Sequence, residues 1–187
     1  MNDTDRIREE LLVLRCQLGE ADAFRDLLNL MEPRLIYFLR RLLRNEQTSY
    51  DLLQEVWLTV FQRIQRLRDP KSFRSWIYRI AHDKAVTHIR HEVSRERAEG
   101  NYQDKMFLQS EKLPWSADTA AEIHLLLDKL SAVHREVLTL FFLEEMKYDE
   151  IADVIQCGVG TVKSRLFYAK EALRRLLKEQ QSVTQPK

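Results

Sequence analysis

Apolar residues recur through most of the chain at steps of three and four, the spacing that places side chains along one face of a helix. The most informative run is residues 147–177, KYDEIADVIQCGVGTVKSRLFYAKEALRRLL. The apolar positions of its first half are Tyr148, Ile151, Ala152 and Ile155. Gly158 and Gly160 follow, and glycine lets a backbone turn sharply because it has no Cβ to clash. The pattern predicts a short helix followed by a tight turn.

A second, longer helix is predicted after the turn. Its apolar positions are Val162, Leu166, Ala169, Leu173, Leu176 and Leu177. The basic residues around them are Lys163, Arg165, Lys170, Arg174, Arg175 and Lys178. A short helix, a turn and a longer basic helix are typical of the helix-turn-helix, whose second helix can lie in the major groove of DNA. The alternative is an ordinary pair of helices with a solvated basic face.

Two helices are predicted at the beginning of the chain. The first covers residues 5–18, and its apolar stripe consists of Ile7, Leu11, Leu14 and Leu18. Gly19 is placed to end this helix. The second begins near Glu20, and Pro33 permits either a new first turn or a kink within it.

Two longer helices are predicted next. Thr48, followed three residues later by Asp51, resembles a helix-starting cap, and residues 49–64 continue with a broad apolar face. After the Asp69-Pro70 step, residues 72–97 have the periodicity of a fourth helix. Both helices have polar faces that are free to contact a partner or water.

The periodicity is lost between these helices and the C-terminal ones. Residues 98–117 are polar and contain Gly100 and Pro114, so we interpret them as an interdomain linker. Apolar helical spacing resumes near residue 118. The sequence therefore predicts an all-α fold of two small helical domains, residues 1–97 and 118–180, joined by a polar linker, with a helix-turn-helix ending the second.

Composition narrows the classes of function. The 187 residues are 44% apolar, which is enough for packed cores, and 30 basic residues against 29 acidic ones argue against a generic nucleic-acid coat. Cys16 and Cys157 are too few for a zinc site and are expected to be small buried residues. No apolar run approaches the roughly 20 residues that span a bilayer, and MNDTDRIREE lacks signal-peptide features. A cytoplasmic protein without membrane insertion is expected.

Aromatic and basic residues are interleaved near the start of the fourth predicted helix. Phe73 and Trp76 lie among Lys71, Arg74 and Arg79. Aromatic rings stack on unpaired bases and cations neutralise phosphate, so this arrangement suits single-stranded nucleic acid. The alternative is that these aromatic residues, which stand at helical spacing, belong to the core.

Three sequence blocks, DLLQEVW, FRSWIYRIA and GTVKSRL, occur in this order along the chain. In this order and spacing they resemble the extracytoplasmic-function (ECF) class of bacterial RNA polymerase sigma factors, and the resemblance covers almost the whole chain. It implies that the first domain binds core RNA polymerase and recognises the melted minus-10 element. The second would read the minus-35 element with its helix-turn-helix. The expected function is to direct promoter-specific transcription initiation, without enzymatic activity.

The resemblance also implies roles for individual residues. Polymerase binding falls to Asp51, Leu52, Gln54, Glu55 and Trp57. Minus-10 recognition falls to Lys71, Ser72, Phe73, Arg74, Arg79 and Arg90. Minus-35 recognition falls to Thr161, Lys163, Ser164, Arg165 and Tyr168. The implied partners are core RNA polymerase, promoter DNA in duplex and melted forms, and an anti-sigma factor, and no catalytic residue, cofactor or metal is expected.

Several positions depart from the pattern of the ECF class. Asp83 stands where asparagine is usual, and Thr87 stands where an acid is usual. In the turn of the helix-turn-helix, Gln156 occupies the customary glycine and Gly158 the customary capping serine. Ser131 replaces a proline at a helix start, where serine is an acceptable cap.

Two other classes of protein share some of these sequence features. A conventional transcription regulator would account for residues 118–178 but would leave DLLQEVW and FRSWIYRIA unexplained. An enzyme is suggested by the dyad His82-Asp83, which resembles the metal-binding pair of phosphohydrolases, with His88 and His91 nearby. The further ligands that such chemistry needs are missing, and the chain has no HExxH, P-loop or nucleophile elbow.

Overall fold

The computed structural model describes residues 3–98 and 125–184, and every regular element within these ranges is helical. The α-helices are α1 (Asp3–Gln17), α2 (Ala21–Leu43), α3 (Glu46–Arg63), α4 (Phe73–Ala98), α5 (Ala132–Leu138), α6 (Tyr148–Val154) and α7 (Val159–Thr184). Short 3₁₀ turns cover Ile64–Arg66 and Pro70–Ser72, and Thr139–Leu143 is a π-helical segment. The predicted all-α class is confirmed, whereas the predicted linker, apart from residue 98, lies outside the described residues.

Helix α1 buries a different face from its predicted stripe. Leu12, Val13 and Cys16 are buried, whereas the four stripe residues are exposed, from 47% for Leu14 to 80% for Leu18. The buried face also carries Glu9, which pairs with Arg74 of α4, and Gln17, which donates to the Ile64 and Leu67 carbonyls. Both faces of α1 offer apolar residues, and these distant polar partners decide which one packs inward.

The end of α1 agrees with the prediction for Gly19. The glycine has a φ of 85°, and its N–H donates to the Cys16 carbonyl at 3.0 Å. The next N–H, from Glu20, donates to the Arg15 carbonyl at 3.2 Å. These two bonds form a Schellman motif, which ends a helix at a residue in the left-handed conformation. Glycine adopts that conformation without strain.

Helix α2 continues through Pro33 without a break. Proline has no N–H, so Pro33 cannot donate to the Asn29 carbonyl one turn earlier. Both residues lie on the exposed face, where water can bind that carbonyl instead. The buried apolar residues of the opposite face are Ala23, Leu27, Met31, Leu35, Phe38, Leu39 and Leu42. Because one side of the helix is anchored this extensively, the loss of one backbone hydrogen bond is tolerated.

Helix α3 begins three residues earlier than predicted, at Glu46 rather than Ser49. Asn45 caps it, because its side-chain oxygen accepts the backbone N–H of Thr48 at 2.9 Å. Thr48 therefore lies within the first turn, and the prediction of Thr48 as the cap is wrong. Arg44, with a φ of 55°, ends α2, so α2 and α3 meet at a two-residue corner.

The remaining described elements, residues 125–184, make up the C-terminal unit. Residues 125–128 are helical, and α5 starts at a cap in which Ser131 accepts the His134 N–H at 3.3 Å, as predicted. The π-helical segment Thr139–Leu143 brings the Phe141 ring into a stack on Tyr148, with centroids 5.5 Å apart. Within residues 3–98 and 125–184, no helix has the length and apolar character that crossing a membrane requires.

Candidate nucleic-acid and polymerase interfaces

The helix-turn-helix is formed by α6 and α7. The Glu150 carboxylate accepts the Lys147 N–H at 2.7 Å and fixes the start of α6. Gln156 makes the turn with a φ of 50°, a left-handed conformation that costs a residue with a Cβ about 1–2 kcal/mol. The Gly158 carbonyl then accepts the Thr161 N–H at 2.9 Å, which starts α7. The turn thus has ordinary geometry with an unusual residue at its left-handed position.

The start of α7 presents a polar face to solvent and an apolar face to its own domain. Val162, Leu166 and Ala169 are buried. Four of the five residues predicted to read the minus-35 element are exposed, namely Thr161, Lys163, Ser164 and Tyr168. The exposed side is therefore free to approach another molecule.

Two aromatic residues stand together on the exposed side of α7. Phe167 and Tyr168 are each 61% exposed, and their rings meet edge to face with centroids 5.4 Å apart. The sequence prediction missed Phe167 as a surface residue, although it lies outside the buried spacing of Val162, Leu166 and Ala169. An aromatic residue off the apolar spacing of a recognition helix is the signal that identifies it.

Arg165 differs from the other predicted minus-35 residues because it is half-buried and turned toward the N-terminal unit. Burial lowers the pKa of His82 on α4 and raises the pKa of the Glu136 carboxyl on α5 to about 7. The positive charge of Arg165 acts as a smaller influence on both groups, so Arg165 lies near both. His82 Nε2 lies 3.4 Å from Glu136 Oε1.

The predicted minus-10 residues divide into an exposed and a buried set. Lys71, Arg79 and Arg90 are exposed, and Ser72 is half-buried. Phe73 and Arg74 are buried, at 0% and 3% exposure. The Asp69 carboxylate accepts the Lys71 N–H at 3.0 Å and shapes the turn that precedes α4. Three cations therefore face solvent along α4 and its preceding turn, while Phe73 serves the core.

Arg74 joins three parts of the molecule. Its Nε donates to Glu9 of α1 at 3.1 Å, and its Nη1 donates to the Glu144 carbonyl at 3.3 Å. The Glu144 carboxyl is itself buried, which raises its pKa, and the Arg34 guanidinium 3.5 Å away opposes that shift. Replacing water by these partners satisfies the buried charge of Arg74.

The predicted polymerase-binding residues lie on α3. Asp51, Gln54 and Glu55 are exposed, whereas Leu52 and Trp57 are each 7% exposed. The Trp57 ring packs edge to face on Phe24 of α2, with centroids 5.8 Å apart. The polar residues of DLLQEVW thus form the outer face of α3, whereas Leu52 and Trp57 help to hold the helix in the core.

An open groove of about 550 Å³ runs between α3 and α4. The residues that line it are Leu52, Glu55, Asp83, Lys84, Thr87, His88 and His91. Lys84 Nζ bridges the two helices to Glu55 at 2.8 Å. Although two histidines and two carboxylates line this groove, no set of three or more His, Cys, Asp or Glu in the described part of the chain is arranged to hold a metal ion.

Comparison with known proteins identifies the family. Residues 27–95 match Sigma-70 region 2, and residues 120–173 match Sigma-70 region 4. The RNA polymerase sigma-H factor of Pseudomonas aeruginosa is 30% identical over 181 residues, covering 91% of this chain and 94% of that protein. The chain therefore belongs to the sigma-70 family and is a promoter-recognising transcription initiation factor.

Further relatives narrow the class. The ECF sigma factor SigW of Bacillus subtilis is 27% identical and covers 86% of this chain and 92% of its own length. The ECF sigma-E factor of Escherichia coli is 25% identical, with coverages of 91% and 94%. The sigma factor RpoE of Bartonella quintana, solved with the anti-sigma factor NepR, has the same fold, with a TM-score of 0.69, 22% identity, and coverages of 83% and 96%. The protein is an ECF sigma factor.

Proposed function

We propose that this sigma factor reads the minus-35 element with α7 and the melted minus-10 element with the turn before α4 and α4 itself, while α3 docks on core RNA polymerase. In this proposal residues 1–97 form the polymerase-binding and melting domain, residues 98–117 the linker, and residues 118–180 the minus-35 domain. The matched regions 27–95 and 120–173 fall close to these divisions. Such a protein acts in the cytoplasm, where polymerase and chromosomal DNA are found.

The exposed face of α7 is the observation that carries the proposal. Lys163 and Tyr168 are exposed at the start of a helix whose opposite side is buried, which is the orientation that a recognition helix needs in the major groove. Thr161 and Ser164 add hydroxyl groups that can donate to or accept from bases and phosphates. A cationic side chain that pairs with guanine discriminates by about 1–3 kcal/mol, whereas a phosphate contact adds affinity without sequence information.

The first domain supplies the single-strand contacts. Exposed Lys71, Arg79 and Arg90 can neutralise phosphates of the melted strand. In our proposal Phe73 and Arg74 do not contact DNA themselves. They hold the start of α4 in the core and so position Lys71 and Ser72 in the preceding turn.

Polymerase binding is assigned to the outer face of α3. Asp51, Gln54 and Glu55 offer acidic and amide groups along one side of the helix, next to the groove shared with α4. Leu52 and Trp57 anchor this face from beneath. A helix in the polymerase with a basic and polar surface would match it.

An anti-sigma factor is proposed as a further partner. The sigma factor RpoE, which shares this fold, was solved in complex with the anti-sigma factor NepR. CnrH, solved in complex with the cytosolic domain of CnrY, shares this fold as well. A candidate anti-sigma factor should bind the free protein and abolish its transcription with core polymerase. Binding without any loss of transcription would exclude that role.

Run-off transcription with core polymerase on a library of randomised promoters tests the whole proposal. Selected promoters should share two conserved elements at fixed spacing. Duplex binding by the free protein without any promoter-specific transcript would favour a conventional regulator instead. Asp51→Ala combined with Glu55→Ala should lower the affinity for core polymerase, with Asp153→Ala on exposed α6 as the control for lost negative charge.

Lys163→Ala separates base reading from phosphate binding. If Lys163 contacts a phosphate, its loss lowers the salt slope of DNA binding by about 0.9 and leaves the selected sequence unchanged. If it reads a base, one minus-35 position loses its preference. Arg175→Ala is the matched control, since Arg175 is exposed on the same helix about 18 Å further along. Equal behaviour of the two variants would remove Lys163 from the interface.

A further inference from the structure

The N-terminal and C-terminal units are held together by contacts of complementary charge. Arginines of the first unit meet acidic residues or carbonyls of the second. Arg41 pairs with Asp128, Arg34 lies 3.5 Å from Glu144, and Arg6 lies 3.6 Å from Glu150. Three arginines of the first unit donate to backbone carbonyls of the second: Arg44 to that of Asp128, Arg74 to that of Glu144 and Arg6 to that of Glu145. We call the arrangement in which these contacts are made the closed arrangement.

One further contact joins two positions that depart from the ECF pattern. The Gln156 amide Nε2 donates to Asp83 Oδ1 at 2.8 Å, across 73 residues of sequence. Asp83 stands on α4 where asparagine is usual, and Gln156 stands in the turn where glycine is usual. The glutamine keeps the left-handed φ of 50° that glycine would adopt freely, so the turn carries conformational strain that glycine would avoid. What the glutamine provides in return is the amide that reaches Asp83.

The closed arrangement is incompatible with reading both promoter elements. The minus-10 and minus-35 elements are about 25 base pairs apart by their names, which is about 85 Å of straight duplex. A compact chain of this length has a radius of gyration of about 16 Å and is roughly 40 Å across. The helix-turn-helix is docked on α4 through Gln156, and Arg165 of its recognition helix faces α4 and α5. The two units must therefore separate before both can bind DNA.

We propose that the Gln156–Asp83 hydrogen bond is a latch that favours the closed arrangement of the free protein and that breaks when the two units separate. The inference rests on the proposed function, since only a protein that reads two separated elements needs to open. A hydrogen bond from a neutral amide to a charged carboxylate is worth about a factor of ten in the ratio of closed to open molecules. Because only open molecules bind DNA fully, breaking the latch should strengthen DNA binding by the same factor.

A double-mutant cycle on the full-length free protein tests the latch. Asp83→Ala, Gln156→Ala and the double variant are titrated with DNA that carries both elements selected in the transcription library at their selected spacing, with the minus-10 segment left unpaired. Each single variant should bind about tenfold more tightly than the unaltered protein, and the double variant no more tightly than either single one. Asp153→Ala, which removes an exposed negative charge without touching the first unit, controls for simple electrostatics. Unchanged binding in both single variants, or independent additive gains, overturns the latch.

Small-angle scattering of the unaltered full-length protein tests closure without DNA. A radius of gyration near that of a compact chain supports the closed arrangement, and scattering from two separated bodies overturns it. If holoenzyme transcribes from the library but the cycle shows no coupling, the latch fails and the proposed function stands. If no promoter is transcribed, the proposed function fails, and the scattering experiment alone decides whether the free chain is closed.

Discussion

Replacing Glu136 with glutamine should stabilise the folded protein at about pH 8 and change it little at about pH 5. Glu136 on α5 is buried beside His82 and Arg165, with 7% of its surface exposed, and burial raises the pKa of its carboxyl from 4.5 to about 7. Between these values the folded state retains a proton that the unfolded state releases, so stability falls as the pH rises through this window. At 1.36 kcal/mol per unit, the full cost above pH 7 is about 3 kcal/mol.

His82 acts in the opposite direction. Burial lowers the pKa of its imidazole, with Asp83 opposing the shift, so the unfolded state binds a proton more readily and stability falls as the pH drops below 6.5. Below pH 6.5 the two groups therefore change the stability in opposite directions, whereas above pH 6.5 the loss due to Glu136 continues alone up to about pH 7. Glu136→Gln removes the loss on the alkaline side and leaves the acidic side to His82.

Urea unfolding followed by far-ultraviolet circular dichroism measures the effect at both pH values. Asp153→Asn is the control, because it removes the same charge from an exposed site on α6. The gain from Glu136→Gln at about pH 8 should reach about 3 kcal/mol, less whatever the amide loses in contacts with His82. A gain of equal size at both pH values would refute the reasoning, since it would owe nothing to the proton.

Three other substitutions probe the packing. Arg74→Ala should lower the free energy of unfolding by about 3–5 kcal/mol in urea titrations, because it leaves the buried Glu9 carboxylate without its partner. As the control, Arg79→Ala at an exposed position should change the free energy by less than about 0.5 kcal/mol. Similar losses in the two variants would contradict a buried Arg74–Glu9 pair. Ser131→Ala should lower the free energy of unfolding by about 1 kcal/mol, because α5 loses its N-terminal cap. An unchanged melting temperature would show that this cap does not contribute to stability. Gly19→Ala should cost about 1–2 kcal/mol because of its φ of 85°, although no atom lies within 4 Å of the added Cβ; an unchanged melting curve would mean that α1 ends differently in solution.

The helices and their order could be predicted from sequence because their signal is local. The spacing of Val162, Leu166 and Ala169 fixed the buried side of α7, and Ser131 and Gly19 marked a start and an end. Local signals were not decisive where two answers were chemically equivalent. Asn45 and Thr48 are both good caps, and only the position of the α2–α3 corner selects Asn45.

Long-range contacts could not be predicted, and they decide much of the candidate site. Whether α1 buries its predicted stripe or the face with Glu9 depends on Arg74, 65 residues away, and no periodicity connects them. Because of this contact, Arg74 is buried against α1, whereas the sequence indicated a DNA-binding residue on the surface. For Gln156 and Asp83, the unusual residues were evident in the sequence, but the bond between them became visible only once α4 and the turn were folded together.

The two native cysteines lie in different surroundings, so their thiols should react at very different rates. Burial raises the pKa of the Cys16 thiol to about 11, so only about one molecule in a thousand carries its thiolate at pH 8, and alkylation there is slow. Cys157, next to Gln156, is a free and partly exposed thiol. A thiol reagent should therefore modify Cys157, in the turn beside the Gln156–Asp83 bond, well before Cys16, which becomes reactive only when the protein unfolds.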